Sequence, residues 1–186
     1  MRHATTFNEF RPSVFEALYF LKEWRANTDL VANKQRLDEL FLVQPFELSE
    51  QSLSEKVHLL NDIYGTHTQE TIVTHLSQIN NLELRISQGD LSVVDDIQAS
   101  QQEGAYSFAT KFCHHHNPIA YPFFSFTINN TLYKFENRDH FYGKHYNYNN
   151  YSEFYNAMQA FRNHYGLETC SWFYIDILLK GSSTLN

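Results

Sequence analysis

Cysteine is scarce in this chain: Cys113 and Cys170 are the only two in 186 residues. Both sit inside aromatic, helix-like segments, so the expectation is buried free thiols in a reducing compartment, not a disulfide framework or a metal pair. Glycine and proline are also few, six and four, which leaves no long Pro/Gly/Ser linker. There is no internal repeat, and the one biased tract is the Tyr/Asn-rich stretch at 146–151. No apolar run approaches the roughly 18 residues that span a bilayer, and Met1-Arg-His-Ala-Thr-Thr-Phe7 lacks the apolar centre of a signal peptide. The expectation is a cytoplasmic protein with no membrane partner.

Missing motifs narrow the chemistry. There is no Walker-type loop, no Gly-x-Gly-x-x-Gly, no Gly-x-Ser-x-Gly and no Cys-x-x-Cys, so nucleotide hydrolysis, dinucleotide chemistry and elbow-type esterase activity lose their usual support. No cofactor is expected. His114, His115 and His116 are consecutive, and on a helix consecutive side chains diverge. They cannot jointly chelate one ion, and a role at a helix C-terminus is the simpler reading. Asp95 and Asp96 diverge for the same reason and read as a solvated face.

What the chain does have is a hydrophobic fraction of 42% with 19% charged residues, the profile of a globular fold. Its acidity is unevenly placed. Residues 1–100 hold eight Lys/Arg against fifteen Asp/Glu, while residues 101–186 hold six against six together with six of the ten histidines. The second part is also rich in aromatics, with ten Tyr, ten Phe and one Trp. The reading is a single all-α domain over 1–181, acidic over about 1–100 and neutral and aromatic over about 101–181, followed by a flexible tail at 182–186.

Apolar periodicity predicts the helices. Pro12-Ser13 opens one over 13–26, with Phe15, Leu18, Tyr19, Leu21 and Trp24 as its core stripe. A second, carrying Val31, Leu37, Leu40, Phe41 and Val43, stops at Pro45. Ser52 and Glu55 have capping-box spacing ahead of Val57 to Tyr64, and Gly65 closes that helix. Further helices are expected at 68–79, at 91–98 behind Asp90 as N-cap, from Ala105 to His115 with a stop at Asn117-Pro118, from a Ser152 cap to Gly166, and from Glu168 to Lys180. Leu82, Leu84 and Ile86 alternate with polar residues and suggest a short extended piece. Between 123 and 135, alternation of Phe124, Phe126 and Ile128 with Asn129-Asn130 as a turn favours a hairpin.

The segment Gly104-Ala-Tyr-Ser-Phe-Ala-Thr-Lys-Phe-Cys-His-His-His-Asn-Pro-Ile-Ala-Tyr-Pro-Phe-Phe-Ser125 resembles bacterial proteins related to the helix-hairpin-helix DNA glycosylases, in particular the 8-oxoguanine glycosylase-like branch. In these, a Ser-Phe-Ala-Ser/Thr-Lys helix leads through a His-x-Pro turn to a Tyr-Pro-Ile-Tyr-Asp segment. Leu59 to Thr66 and Tyr151 to Arg162 are also similar, so the likeness extends over about 55–180 and is most specific at 104–122.

The resemblance implies hairpin amides that hold a DNA phosphate, and a carboxylate that stabilises positive charge on the sugar as a flipped-out base leaves. Here Ser125 stands in place of that aspartate and supplies no full negative charge. Tyr106 falls near the position of the lysine nucleophile of bifunctional relatives, and Lys111 lies one or two turns further on. The implied fold is helical, with Phe126, Ile128 and Leu132 on a helix starting near Ser125. That reading is adopted over the hairpin, which would have few partners in a helical chain. Gly104 and Tyr106 are then expected to face a phosphate, with Lys111, His114, His115, His116, Tyr121 and Ser125 lining a pocket that has lost its chemistry. The partner is DNA, or alternatively a basic protein covered by the acidic half, as in an immunity or phage-conflict factor. A third possibility is an active glycosylase whose carboxylate comes from elsewhere, such as Asp139.

Overall fold

The Ser13 hydroxyl accepts the Glu16 N–H at 3.2 Å and starts α1, Val14–Arg25. In this computed structural model, which describes residues 6–43, 49–101 and 103–185, every regular element is helical. After α1 come α2 (Thr28–Asp38), a π-helical turn (Glu39–Val43), α3 (Glu50–Tyr64), α4 (Thr71–Gln78), α5 (Leu82–Ser87), α6 (Ser92–Gln98), α7 (Ala105–His116), α8 (Phe126–Asp139), α9 (Tyr151–His164) and α10 (Trp172–Ser182). The fold is all-α, as expected, and no strand occurs among the described residues. The Pro45 stop lies outside them. The chain divides into two compact units, one made of residues 1–28 and 124–186, the other of 29–123.

The first unit joins the two ends of the chain. α1 buries Ala17, Phe20 and Leu21 against α10, where Gly181 permits a close approach: a Cβ there would stand 2.3 Å from the Phe20 ring. This corrects the expected stripe, because Phe15 is 76% and Leu18 51% exposed. Two apolar faces compete on α1, and the one carrying the small Ala17 packs closest. The segment ahead of α1 is fastened to α8 by Arg138. Its guanidinium donates to the Phe7 and Phe10 carbonyls at 2.5 and 2.8 Å, pairs with Asp139 and lies 4.9 Å from the Phe135 ring centroid.

Three caps shift from the expected positions. Ser49, not Ser52, caps α3 and accepts the Ser52 N–H; starting one turn earlier adds a backbone hydrogen bond for each residue fixed. Asn150, not Ser152, caps α9 through the Glu153 N–H. α10 begins at Trp172, because Arg162 holds the Leu167 and Glu168 carbonyls in a turn. At the other end, hydrogen bonds to the Gly181 and Ser182 carbonyls carry the turn on through Leu185.

In the second unit α6 packs against α7, and α3 against α4 and α7. The expected extended piece is the helix α5, with Leu82 and Ile86 buried at i and i+4 and Leu84 54% exposed. Five alternating residues fit either period, and a lone strand would leave its backbone groups unpaired among helices.

Gly181→Ala should destabilise the protein: overpacking against Phe20 costs typically 1–3 kcal/mol, enough to outweigh the ~1 kcal/mol that alanine gains in a helix. Urea denaturation should give a lower midpoint at unchanged slope.

Candidate functional site

α6 and α7 form a helical hairpin whose connection contains two left-handed residues, Gln101 (φ 54°) and Gly104 (φ 75°). Gly104 is required twice over. Its φ disfavours any side chain, and a Cβ would lie 2.1 Å from the Thr66 carbonyl oxygen. That carbonyl belongs to the loop after α3, which Asn61 ties together by accepting the Thr68 N–H at 3.0 Å and donating to the Thr68 carbonyl at 2.7 Å. The hairpin is therefore seated on a fixed loop.

From that seat α7 delivers its side chains in turn. Tyr106 is half-buried with its hydroxyl shielded from solvent; burial, and secondarily the Asp95 carboxylate, push its pKa well up. Lys111 is 4% exposed. Its ammonium donates to the Ser107 carbonyl at 3.2 Å and to the Ser107 hydroxyl, and sits 5.3 Å from the Tyr64 and 5.7 Å from the Phe123 ring centroids. His114 bonds through Nδ1 to the Tyr121 carbonyl at 2.6 Å and His115 through Nε2 to the Tyr64 hydroxyl at 2.9 Å. The His116 ring lies edge-on to Phe41 and Phe112, 4.8 and 4.7 Å away. The three histidines thus take three different environments. Among the described residues no group of three or more His, Cys, Asp or Glu could hold a metal ion.

Tyr64 and Phe123 complete the arrangement. Tyr64 stacks on His115 at 5.7 Å, His114 meets His115 at 5.2 Å and Phe123 at 5.0 Å, and Phe123 stands 5.9 Å from Tyr64. With Lys111 over both aromatic rings, the five side chains make a closed cluster. Sequence singles out neither Tyr64 nor Phe123 as a site residue, although both lie in the segments, Leu59 to Thr66 and Tyr121 to Ser125, that carry the resemblance. Tyr121 is fully buried, and its hydroxyl donates to the Asp90 carbonyl at 3.0 Å. Asp90 pairs with Arg85, which also holds Asp96. Cys113 and Cys170 are buried free thiols.

Two of the expected site residues lie in the other unit. Ser125 is the N-cap of α8 and accepts the Ile128 N–H at 3.2 Å. The Asp139 carboxylate is bound by Arg138 and by the Tyr165 hydroxyl, and those hydrogen bonds hold its pKa below the usual range. It is engaged in holding α8 and α9. A separate groove of about 570 Å³ in the second unit is lined by Arg36, Glu39, Leu40, Glu55, His58, Leu59 and Asp62. None of the sequence-predicted residues enters it.

Burial, chiefly, and neighbouring positive charge hold His115 and His116 well below the ordinary histidine pKa of 6.5. Above about pH 6.5 both states leave these rings neutral. Below it the unfolded chain takes up protons that the folded chain excludes, so stability falls as pH drops toward the depressed folded values. Urea unfolding should show stability falling progressively below pH ~6.5, and His115→Phe should flatten that dependence. A slope unchanged in His115→Phe would show that the ring already titrates freely in the folded protein.

Comparison with known proteins brings a family and a relative. Over 93 aligned residues the chain is 30% identical to an uncharacterized protein of Haemophilus influenzae, covering 47% of this chain and 46% of that one; the match thus spans less than half of the relative's length. No solved structure matches. A family model, HI_0787_N, described as an N-terminal domain, covers residues 16–120, from α1 to just beyond the end of α7. As that is more than half of the chain, the protein belongs to the HI_0787_N N-terminal domain family.

Proposed function

We propose that this chain is a DNA-associated protein on a glycosylase-like scaffold whose base-excision chemistry has been lost. One observation carries the reading. α8 begins at Ser125, where the resemblance, against the local alternation, requires a helix, and the residue at its head offers a hydroxyl in place of a carboxylate. Serine caps a helix about as well as aspartate, so the scaffold survives the exchange while an anion that would favour a cationic sugar does not. The α6–α7 hairpin with its left-handed Gly104 supports the glycosylase-like scaffold and not a contact with DNA at that point. Lys111, enclosed by Ser107, Tyr64 and Phe123, is held as a structural cation.

Purified protein should be retained on DNA at low salt with an affinity that falls steeply as salt rises, and should release no base from duplexes carrying 8-oxoguanine or other damage. Ser125→Ala should cost ~1 kcal/mol of stability and Ser125→Asp almost none, as read by thermal unfolding. Base release abolished by Lys111→Ala would overturn the loss of chemistry.

Charge favours a second reading. The unit formed by 29–123 holds five Lys/Arg against thirteen Asp/Glu, a net of −8, and the unit made of the two chain ends nine against eight, a net of +1. Such a field accelerates encounter with a basic protein, and the groove, where Glu39 and Glu55 stand with Leu40 and Leu59 while Asp62 pairs with Arg36, suits an amphipathic cationic segment. A lysine- and leucine-rich helical peptide should bind more weakly to Glu39→Lys/Glu55→Lys than to the parent; equal binding to both counts against this groove.

A further inference from the structure

A net of −8 on the unit that carries Gly104 and Lys111 repels a phosphate backbone, which directs attention to the other unit. There, the outward face of α8 carries Phe126, Asn130, Lys134 and Asn137, all exposed, with Tyr133 half-buried beside them. Phe126 is 67% exposed at the head of the helix, and among the described residues of α8 no carboxylate stands on this face. The segment after α8 runs alongside. Tyr146 stacks flat on Tyr133, 4.6 Å apart and 8° from parallel, and Tyr148 stacks on Phe124 at 5.7 Å and 11°, its ring 6.5 Å from Phe126.

The carboxylates of this region are turned to other uses. Glu136 is buried and accepts the Tyr142 and Gly143 N–H groups at 2.8 and 3.0 Å. Asp139 is held by Arg138 and Tyr165, and Glu153 accepts the Asn147 N–H at 2.8 Å. Lys134, Lys144 and His145 remain exposed. The loop itself is fixed: the Tyr133 hydroxyl donates to the Tyr146 carbonyl at 2.7 Å and the Tyr146 hydroxyl to Asn129 Oδ1 at 3.0 Å. A surface fastened in this way loses little freedom on binding.

An exposed Phe126 beside the half-buried rings of Tyr133 and Tyr148, interleaved with cations and amides on a preformed surface, matches the chemistry of an unpaired nucleic-acid strand, whose bases stack on rings while its phosphates meet Lys and Arg. We propose that the exposed face of α8 and the 142–149 loop form a platform for single-stranded nucleic acid, with bases on Phe126 and Tyr148 and the backbone along Lys134 and Lys144. The proposal rests on the DNA-associated reading and moves its contact surface away from Gly104.

The test is fluorescence anisotropy of a labelled oligo-dT of about 12 nucleotides, within the usual site size of such surfaces, titrated with the full chain. Phe126→Ala should weaken binding roughly tenfold and Phe126→Trp should retain it. Lys144→Gln should lower the salt slope by about 0.7. Phe15→Ala, similarly exposed but on α1, should leave binding unchanged. Circular dichroism establishes that each variant is folded. Oligo-dT binding unaffected by Phe126→Ala and Lys144→Gln overturns the platform but leaves the DNA reading intact. Failure to retain either oligo-dT or duplex at low salt removes both.

Discussion

Taking an ammonium group out of water costs several kcal/mol unless the interior returns comparable interactions, and the second unit returns them to Lys111 from one helix and two rings. Ser107, one turn back on the same helix, offers two oxygens, and Tyr64 and Phe123 turn their electron-rich faces toward the charge. Tyr64 can do so only because α3 ends at Gly65 in a left-handed cap, and Phe123 only because Asn117 and Pro118 end α7 and send the chain back past His114. Those same two rings also meet His115 and His114, Tyr64 against His115 and Phe123 against His114.

The helical class and the ends of α3 at Gly65 and α7 at Asn117-Pro118 were legible in sequence, because Gly and Pro act through backbone sterics that hold in any context. The start of α8 was legible through the resemblance together with the want of partners for a hairpin in a helical chain, since alternation at Phe124, Phe126 and Ile128 argued for a hairpin. Burial explains the discrepancy: Phe126 points outward while Ile128 and Leu132 point in, so the local pattern came from a residue on the surface. Leu82, Leu84 and Ile86 misled in the same way, with Leu84 exposed. On α1, Phe15 and Leu18 outweighed Ala17 in hydrophobicity, yet α10 packs on the side where alanine allows it close. Capping serines three residues apart, such as Ser49 and Ser52, cannot be ranked by motif alone when either can start the same helix.

For the candidate site, sequence located α7 and its charged and aromatic side chains but not their closure into a cluster, which depends on Tyr64 arriving from a distant helix. It also placed the acidic boundary near residue 100, whereas the chain divides into its two units after residues 28 and 123. The tertiary division sharpens the electrostatic contrast, because basic residues at both chain ends collect in one unit. The groove between α2 and α3 thus lies in the acidic unit and the aromatic face of α8 in the near-neutral one.

The clasp of Arg138 on the Phe7 and Phe10 carbonyls has a consequence for the order in which the protein assembles during synthesis. Residues 7 to 25 find their partners on α8 and α10, so α1 waits unpaired while everything from residue 29 to 123 emerges. Loop-closure entropy grows only with the logarithm of the intervening length, and collapse of that intervening stretch into its own core shortens the effective loop further. A helix that has to wait this long needs charge in the meantime, and α1 carries Glu16 in its first turn and Lys22 and Arg25 in its last.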